Sequence, residues 1–240
     1  MRILTLLFLI GTFAACTKAT VPTQAAVQKT NANMPATDTL TYLALGDSYT
    51  IGEAVPREQS FPYQLAARLK ASHHAVTGPD VIAVTGWTTG ELKQGITQRD
   101  ITKHDYNIVT LLIGVNNQFR GYSKDDYRRD FIELLNTAIN YACGNKQHVF
   151  VLSIPDWGVT SFAKNGGYDA QKVGAEIDQF NAINKQETER TGITYIDITP
   201  ASRRASYTPE LIAGDGLHPS GSMYSLWVSQ LLPAVNAQVK

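Results

Sequence analysis

The sequence predicts an α/β fold built on a parallel sheet. Two patterns carry this reading. Short apolar runs alternate along the chain with longer amphipathic segments, as in βαβ units. Small or polar motifs follow the ends of the runs, on the edge where open α/β sheets bind ligands. The first strand is expected over 40–45 and a loop over 56–59. A helix over 60–70 aligns Phe61, Leu65 and Leu69 on one face. A second strand over 80–84 runs into Thr85-Gly86-Trp87-Thr88-Thr89, followed by a helix over 90–100 and a third strand over 107–113. The longest helix is expected near 123–142. Tyr127, Phe131, Leu134, Leu135 and Ile139 form its apolar face, Ser123 its N-cap and Gly144 its stop. A fourth strand over 149–154 closes on Pro155-Asp156-Trp157-Gly158. The next helix carries Val173, Ile177, Phe180 and Ile183 and ends at Gly192, before a fifth strand over 193–198. The stretch 202–213 reads as irregular or short-helical. Ser220 caps a last helix with Tyr224, Trp227, Val228 and Leu231 on one face, which Pro233 is expected to kink or end.

Length and composition bound what this domain can do. The chain has 240 residues, 43% hydrophobic and 18% charged, with zero formal net charge. A sizeable core is available, and no Lys/Arg cluster argues for nucleic acid. The spacing of Cys and His suggests no metal site. At the N-terminus, Arg2 precedes an apolar segment over 3–13 that is too short to span a bilayer. Ala14-Ala15-Cys16 follows. This resembles a bacterial lipoprotein signal over 1–15 with Cys16 acylated, except that Phe13 stands where leucine is usual. The alternative is an ordinary secretory signal cut after Ala15. Under the first reading the protein is a membrane-anchored lipoprotein of the bacterial cell envelope; under the second it is secreted or periplasmic. The stretch 16–39, rich in Thr, Ala, Gln and Asn, reads as a tether. As a coil it spans about 27 Å. The folded domain then covers 40–240. Cys143, the only other cysteine, reads as a packing residue at a helix end, with a Cys16–Cys143 bridge as the alternative.

Three stretches carry chemistry. Leu43-Ala44-Leu45-Gly46-Asp47-Ser48 ends a buried strand on an aspartate and a serine. By itself this reads as a helix cap. Ile113-Gly114-Val115-Asn116-Asn117 adds a carboxamide beyond the third strand, and Asp215-Gly216-Leu217-His218-Pro219 adds a carboxylate and an imidazole. A serine hydroxyl needs a base to become a nucleophile, and imidazole can take and return a proton near neutral pH. A carboxylate three residues before the histidine can fix its tautomer. With the glycine of Thr85-Gly86-Trp87, these blocks occur in a defined chain order.

In that order the sequence resembles the SGNH hydrolase superfamily, the GDSL esterases and lipases, from about residue 40 to the C-terminus. The resemblance implies a three-layer α/β/α, flavodoxin-like arrangement with five parallel strands. It implies a nucleophile at Ser48 and a base pair at Asp215 and His218. The oxyanion hole would comprise the backbone N–H groups of Ser48 and Gly86 and the side-chain amide of Asn116. Asn117 departs from the aspartate often found after the oxyanion asparagine. Asp47 is expected to hold the turn around Ser48. Tyr49, Asn117, Trp157 and Phe162 are candidates for lining the substrate pocket. His73, His74, His104 and His148 are expected to be ordinary surface or cap residues. The implied reaction is hydrolysis of a carboxylic ester, with carbohydrate O-deacetylase, lysophospholipase and thioesterase as alternatives on the same machinery. A non-catalytic surface binding domain is the reading from another class. No cofactor is expected. Nucleotide binding ranks low, because the chain lacks both Gly-x-Gly-x-x-Gly after the first strand and a Gly-Lys-Ser/Thr loop.

Overall fold

The computed structural model describes residues 39–239. The signal over 1–15, Cys16 and the tether up to residue 38 lie outside the described residues. Five strands form one wholly parallel sheet: β1 (Tyr42–Gly46), β2 (Asp80–Ala83), β3 (Ile108–Leu112), β4 (Val149–Leu152) and β5 (Thr194–Ile196), in the order β2-β1-β3-β4-β5. The chain steps outward from β1 to β2, then returns past β1 to β3 and continues the other way. Right-handed crossovers therefore put α2 (Phe61–Ala71) on one face and α3 (Thr89–Arg99), α5 (Lys124–Tyr141) and α7 (Ala170–Thr191) on the other. The last helix, α9 (Gly221–Gln238), packs beside α2, where Phe61, Tyr224 and Trp227 are fully buried. Five parallel strands between two helical layers match the expected architecture.

The central strands are apolar on both faces because both are covered. Every residue of β1 and β3 is buried, and Tyr42 and Thr110 satisfy each other's hydroxyl across the sheet at 3.0 Å. The register brings the ends of three strands level: Gly46 pairs with Ala83 on one side and with Leu112 on the other. The reversal of strand order lies between β1 and β3, so a crevice opens where these strands end.

Most expected boundaries move by one or two residues. Ser60, Ser123 and Ser220 stand at helix N-caps, and Gly192 ends α7 in the left-handed conformation. Leu40 joins the sheet only by an isolated bridge to Val76. The 202–213 stretch includes the end of α8 (Thr199–Arg203) and two 3₁₀ turns. Of the two outcomes expected at Pro233, a kink or an end, the end does not occur: α9 runs on to Gln238. One expectation fails. Cys143 does not pack: it is exposed at φ +53, in the turn that leaves α5. A side chain just past a helix end points with the turn, and here the turn faces water. Among the described residues, no helix is long and apolar enough to cross a membrane.

Candidate active site

Ser48 opens α1 (Ser48–Ile51), a single turn beyond β1. As the first helical residue, its N–H has no intrahelical acceptor. Asp47 caps the turn, its Oδ1 accepting the Tyr49 N–H at 3.0 Å. Gly46 has no room for a side chain: a Cβ there would lie 2.1 Å from Thr50 Oγ1 and 2.4 Å from the Leu112 carbonyl. The serine is thus held against the end of β3. Asp47 is fully buried, and its Oδ2 has no hydrogen-bond partner. Burial pushes its carboxyl up to about 7, against the opposing pull of backbone N–H groups, that of Tyr49 foremost.

Asn116 lies on α4 (Val115–Phe119), the turn that follows β3. One N–H of its amide donates to the Trp87 carbonyl at 2.9 Å, which fixes the group and leaves the second N–H for a ligand. Gly86 adopts φ +86. The Arg120 guanidinium donates to its carbonyl at 2.7 Å and also bonds Glu91, which closes a capping box with Thr88 at the start of α3. Asn117 does not line the pocket. It is buried, accepting the Thr89 N–H at 3.0 Å and donating to the Thr89 hydroxyl at 2.9 Å. On a one-turn helix successive side chains diverge by about 100°, so only one of the two asparagines can face the cleft.

The C-terminal loop supplies the titratable pair. His218 Nδ1 lies 2.5 Å from Asp215 Oδ2, while Asp215 Oδ1 accepts the backbone N–H groups of Leu217 and His218, both at 3.0 Å. Burial would raise the Asp215 carboxyl, but the His218 ring and these two N–H groups outweigh it and hold it below the usual carboxylate range. The loop is pinned by a bridge between Ile212 and Pro219 and by the Gly216 carbonyl, which accepts the Phe162 N–H at 2.9 Å. Gly216 sits at φ +75, where a Cβ would meet Ser161 Oγ at 2.5 Å. The His218 and Tyr49 rings meet in a T-shaped contact, with centroids 5.8 Å apart.

Ser48, Gly86, Asn116 and His218 all line one cleft of about 190 Å³. The Ser48 hydroxyl makes no hydrogen bond with His218 or any other group among the described residues. Catalytic pairs in unliganded sites are often loose and tighten only around substrate. Tyr49, Trp157 and Phe162 line the cleft as expected. Sequence reasoning missed Thr85, Val115, Phe119 and Leu217, which also line it. Each adjoins or lies close to a residue already singled out, and that adjacency was the available signal. His104 stacks on Tyr141, and His148 precedes β4 at the far end of the strands. No group of three or more His, Cys, Asp or Glu among the described residues could hold a metal ion.

The GDSL-like lipase/acylhydrolase family model matches residues 44–226. The chain belongs to this family. As a member of it, the protein is a hydrolase of ester bonds. Solved structures show the same fold at low identity. A lipase/acylhydrolase from Enterococcus faecalis is 18% identical, with a TM-score of 0.64 over 84% of this chain and 98% of that one. The psychrotrophic esterase EstA from Pseudoalteromonas sp., in a structure inhibited by monoethylphosphonate, is 14% identical at TM-score 0.61, over 82% and 97%. Axe2, an acetylxylan esterase from Geobacillus stearothermophilus, is 18% identical at TM-score 0.61, over 82% and 94%. No curated protein sequence matches this GDSL-family chain.

The raised Asp47 carboxyl is expected to make the fold of this family member sensitive to pH. Its raised folded-state value means that its contribution to stability is full below about 4, the ordinary carboxylate value, and is lost as pH rises through about 7. Asp47→Asn keeps an oxygen for the Tyr49 N–H and removes the titration. It is expected to flatten the decline in urea midpoint between these limits and to exceed the parent protein at pH 8. Parallel profiles for the two proteins would show that Asp47 does not titrate in this window.

Proposed function

We propose that the protein is a serine esterase that hydrolyses a carboxylic ester through an acyl-Ser48 intermediate. The observation that carries this reading is the Asp215–His218 pair at 2.5 Å, its imidazole lining the same cleft as Ser48. Asp215 engages Nδ1, which leaves Nε2 of His218 to receive the serine proton. As Ser48 Oγ attacks the carbonyl carbon, that proton passes to Nε2 and the carbonyl oxygen becomes an oxyanion. The Ser48 N–H, the Gly86 N–H and the second N–H of Asn116 would receive it, as oxyanion-hole donors do. The intermediate collapses, the C–O bond to the alcohol breaks, and the imidazolium protonates the departing oxygen. A water molecule, deprotonated by the same nitrogen, then releases the acid and restores Ser48. The depressed Asp215 carboxyl supports this role, because a carboxylate ionised at working pH can stabilise the imidazolium.

Ser48→Ala is expected to abolish both turnover of 4-nitrophenyl esters and labelling by a fluorophosphonate. Labelling that survives in this variant would assign the nucleophile elsewhere. Asn116→Ala should lower kcat by about 10²–10³, or about 2.7–4 kcal/mol, the cost of removing one oxyanion donor. Turnover unchanged from the parent would remove Asn116 from that role.

We further propose that Cys16 carries lipid and tethers the domain to a membrane of the cell envelope. Growth with an alkyne fatty acid should label the full chain and leave Cys16→Ser unlabelled. Equal labelling of the two would sink the anchor.

A further inference from the structure

Resting on the reading of Ser48 as the nucleophile, we propose that the cleft holds a subsite for a short apolar acyl group. The preferred esters would carry alkyl or aryl acyl chains of a few carbons rather than sugar-like acids or long lipid tails.

Once the reacting groups are set aside, the rest of the cleft lining is largely apolar. Val115, Phe119, Trp157, Phe162 and Leu217 form a wall of carbon. Trp157 has one polar atom, and it is taken: Nε1 donates to Gln118 Oε1 at 2.8 Å, and the Gln118 amide is held in turn by Glu176 Oε2 at 2.8 Å. Two further side-chain hydroxyls belong to the lining: that of Thr85, at the rim, is bound to the Glu53 carboxylate, and that of Tyr49 is on a side chain that is almost fully buried and stands apart from this wall, against His218 and Trp227. A sugar hydroxyl enclosed against this wall would give up water and gain no partner. An alkyl or aryl group gives up nothing of the kind.

Exposure and size point the same way. Phe119 and Phe162 are 47% and 38% exposed, although both meet the buried Trp157 ring edge-on, at 5.4 and 6.2 Å. Aromatic surface left open beside a nucleophile is surface that a ligand can cover. The cleft volume of about 190 Å³ falls below the roughly 300–1,000 Å³ that take drug-sized ligands. One small group fills it. The acyl group stays bonded to Ser48 from the first half-reaction into the second, so the apolar wall is assigned to it. The alcohol, which must leave first, is assigned to the open mouth.

The test uses the purified full chain and 4-nitrophenyl esters from acetyl to palmitoyl, with benzoyl, at constant alcohol. kcat/KM is expected to rise roughly fourfold per added methylene at first, the value of one buried CH₂, and then to fall as the chain outgrows the cleft. Phe162→Ala, and independently Phe119→Ala, should lower the hexanoyl-to-acetyl ratio of kcat/KM several-fold. Both positions are half-exposed, so loss of fold is not expected to mask the effect. A flat or acetyl-favouring profile, or a steady rise to palmitoyl, would overturn the subsite; if fluorophosphonate still labels Ser48, the esterase reading survives. Preference that follows the alcohol in a series of acetate esters would overturn the acyl assignment. Absence of both turnover and labelling would overturn the subsite and the esterase reading together.

Discussion

Parallel pairing of β1 with its two neighbours is the constraint on which the site depends. Gly46 is level with Ala83 and Leu112, so the segments leaving three strands start at one height. Asp47-Ser48, Thr85-Gly86 and Gly114 to Asn116 are those segments. A register slip of one residue in β3 would turn its side chains to the opposite face of the sheet. With β1 and β3 buried on both sides, such a slip gains no apolar burial and breaks the Tyr42–Thr110 hydroxyl pair. The hydrophobic core therefore fixes the level of a polar site that contributes little to folding by itself.

Local ties then turn level loop starts into a defined arrangement. Asn116 holds the Trp87 carbonyl, Asn117 holds Thr89, and Arg120 holds the Gly86 carbonyl, so the loops after β2 and β3 form one unit. Gly114 allows the close approach this requires: at φ +130, a Cβ would lie 2.3 Å from the Tyr127 hydroxyl. The third loop is bound differently, by backbone contacts from Gly216 to the start of α6 (Ser161–Asn165) and by the bridge from Ile212 to Pro219. Polar groups tied in this way are held in place before any ligand arrives. The cost is visible at Asp47, where a buried carboxylate oxygen has no partner.

Much of this was legible in the chain. The apolar runs that became β1 and β3 stood out, because strands covered on both faces lack polar alternation. Ser123, Ser220 and Gly192 marked helix limits through capping chemistry, which acts within a few residues. The Asp215-x-x-His218 spacing announced a contact, because three residues of turn suffice to bring the two side chains together. What failed to show depended on neighbours distant in sequence. Asn116 and Asn117 are chemically identical, and only the direction of α4 decides which one faces the cleft. Pro233 reads as a helix breaker, yet α9 continues because its burial against α2 outweighs one lost backbone bond. Cys143 reads as a buried apolar residue, but its place in an exposed left-handed turn depends on where α5 stops.

The sequence by itself determined the alternation of strands and helices, the chain order of the polar motifs and the family to which they belong. These follow from periodicity and from residue types at short spacing, and both survive in a string of letters. Tertiary structure alone decided that Phe119 and Leu217 share a wall with Trp157, that the Trp157 N–H is taken by Gln118, and that the cleft is small. Each of these is a meeting of side chains from different crossovers. Packing of the helices on the sheet sets such distances, and no local pattern encodes them.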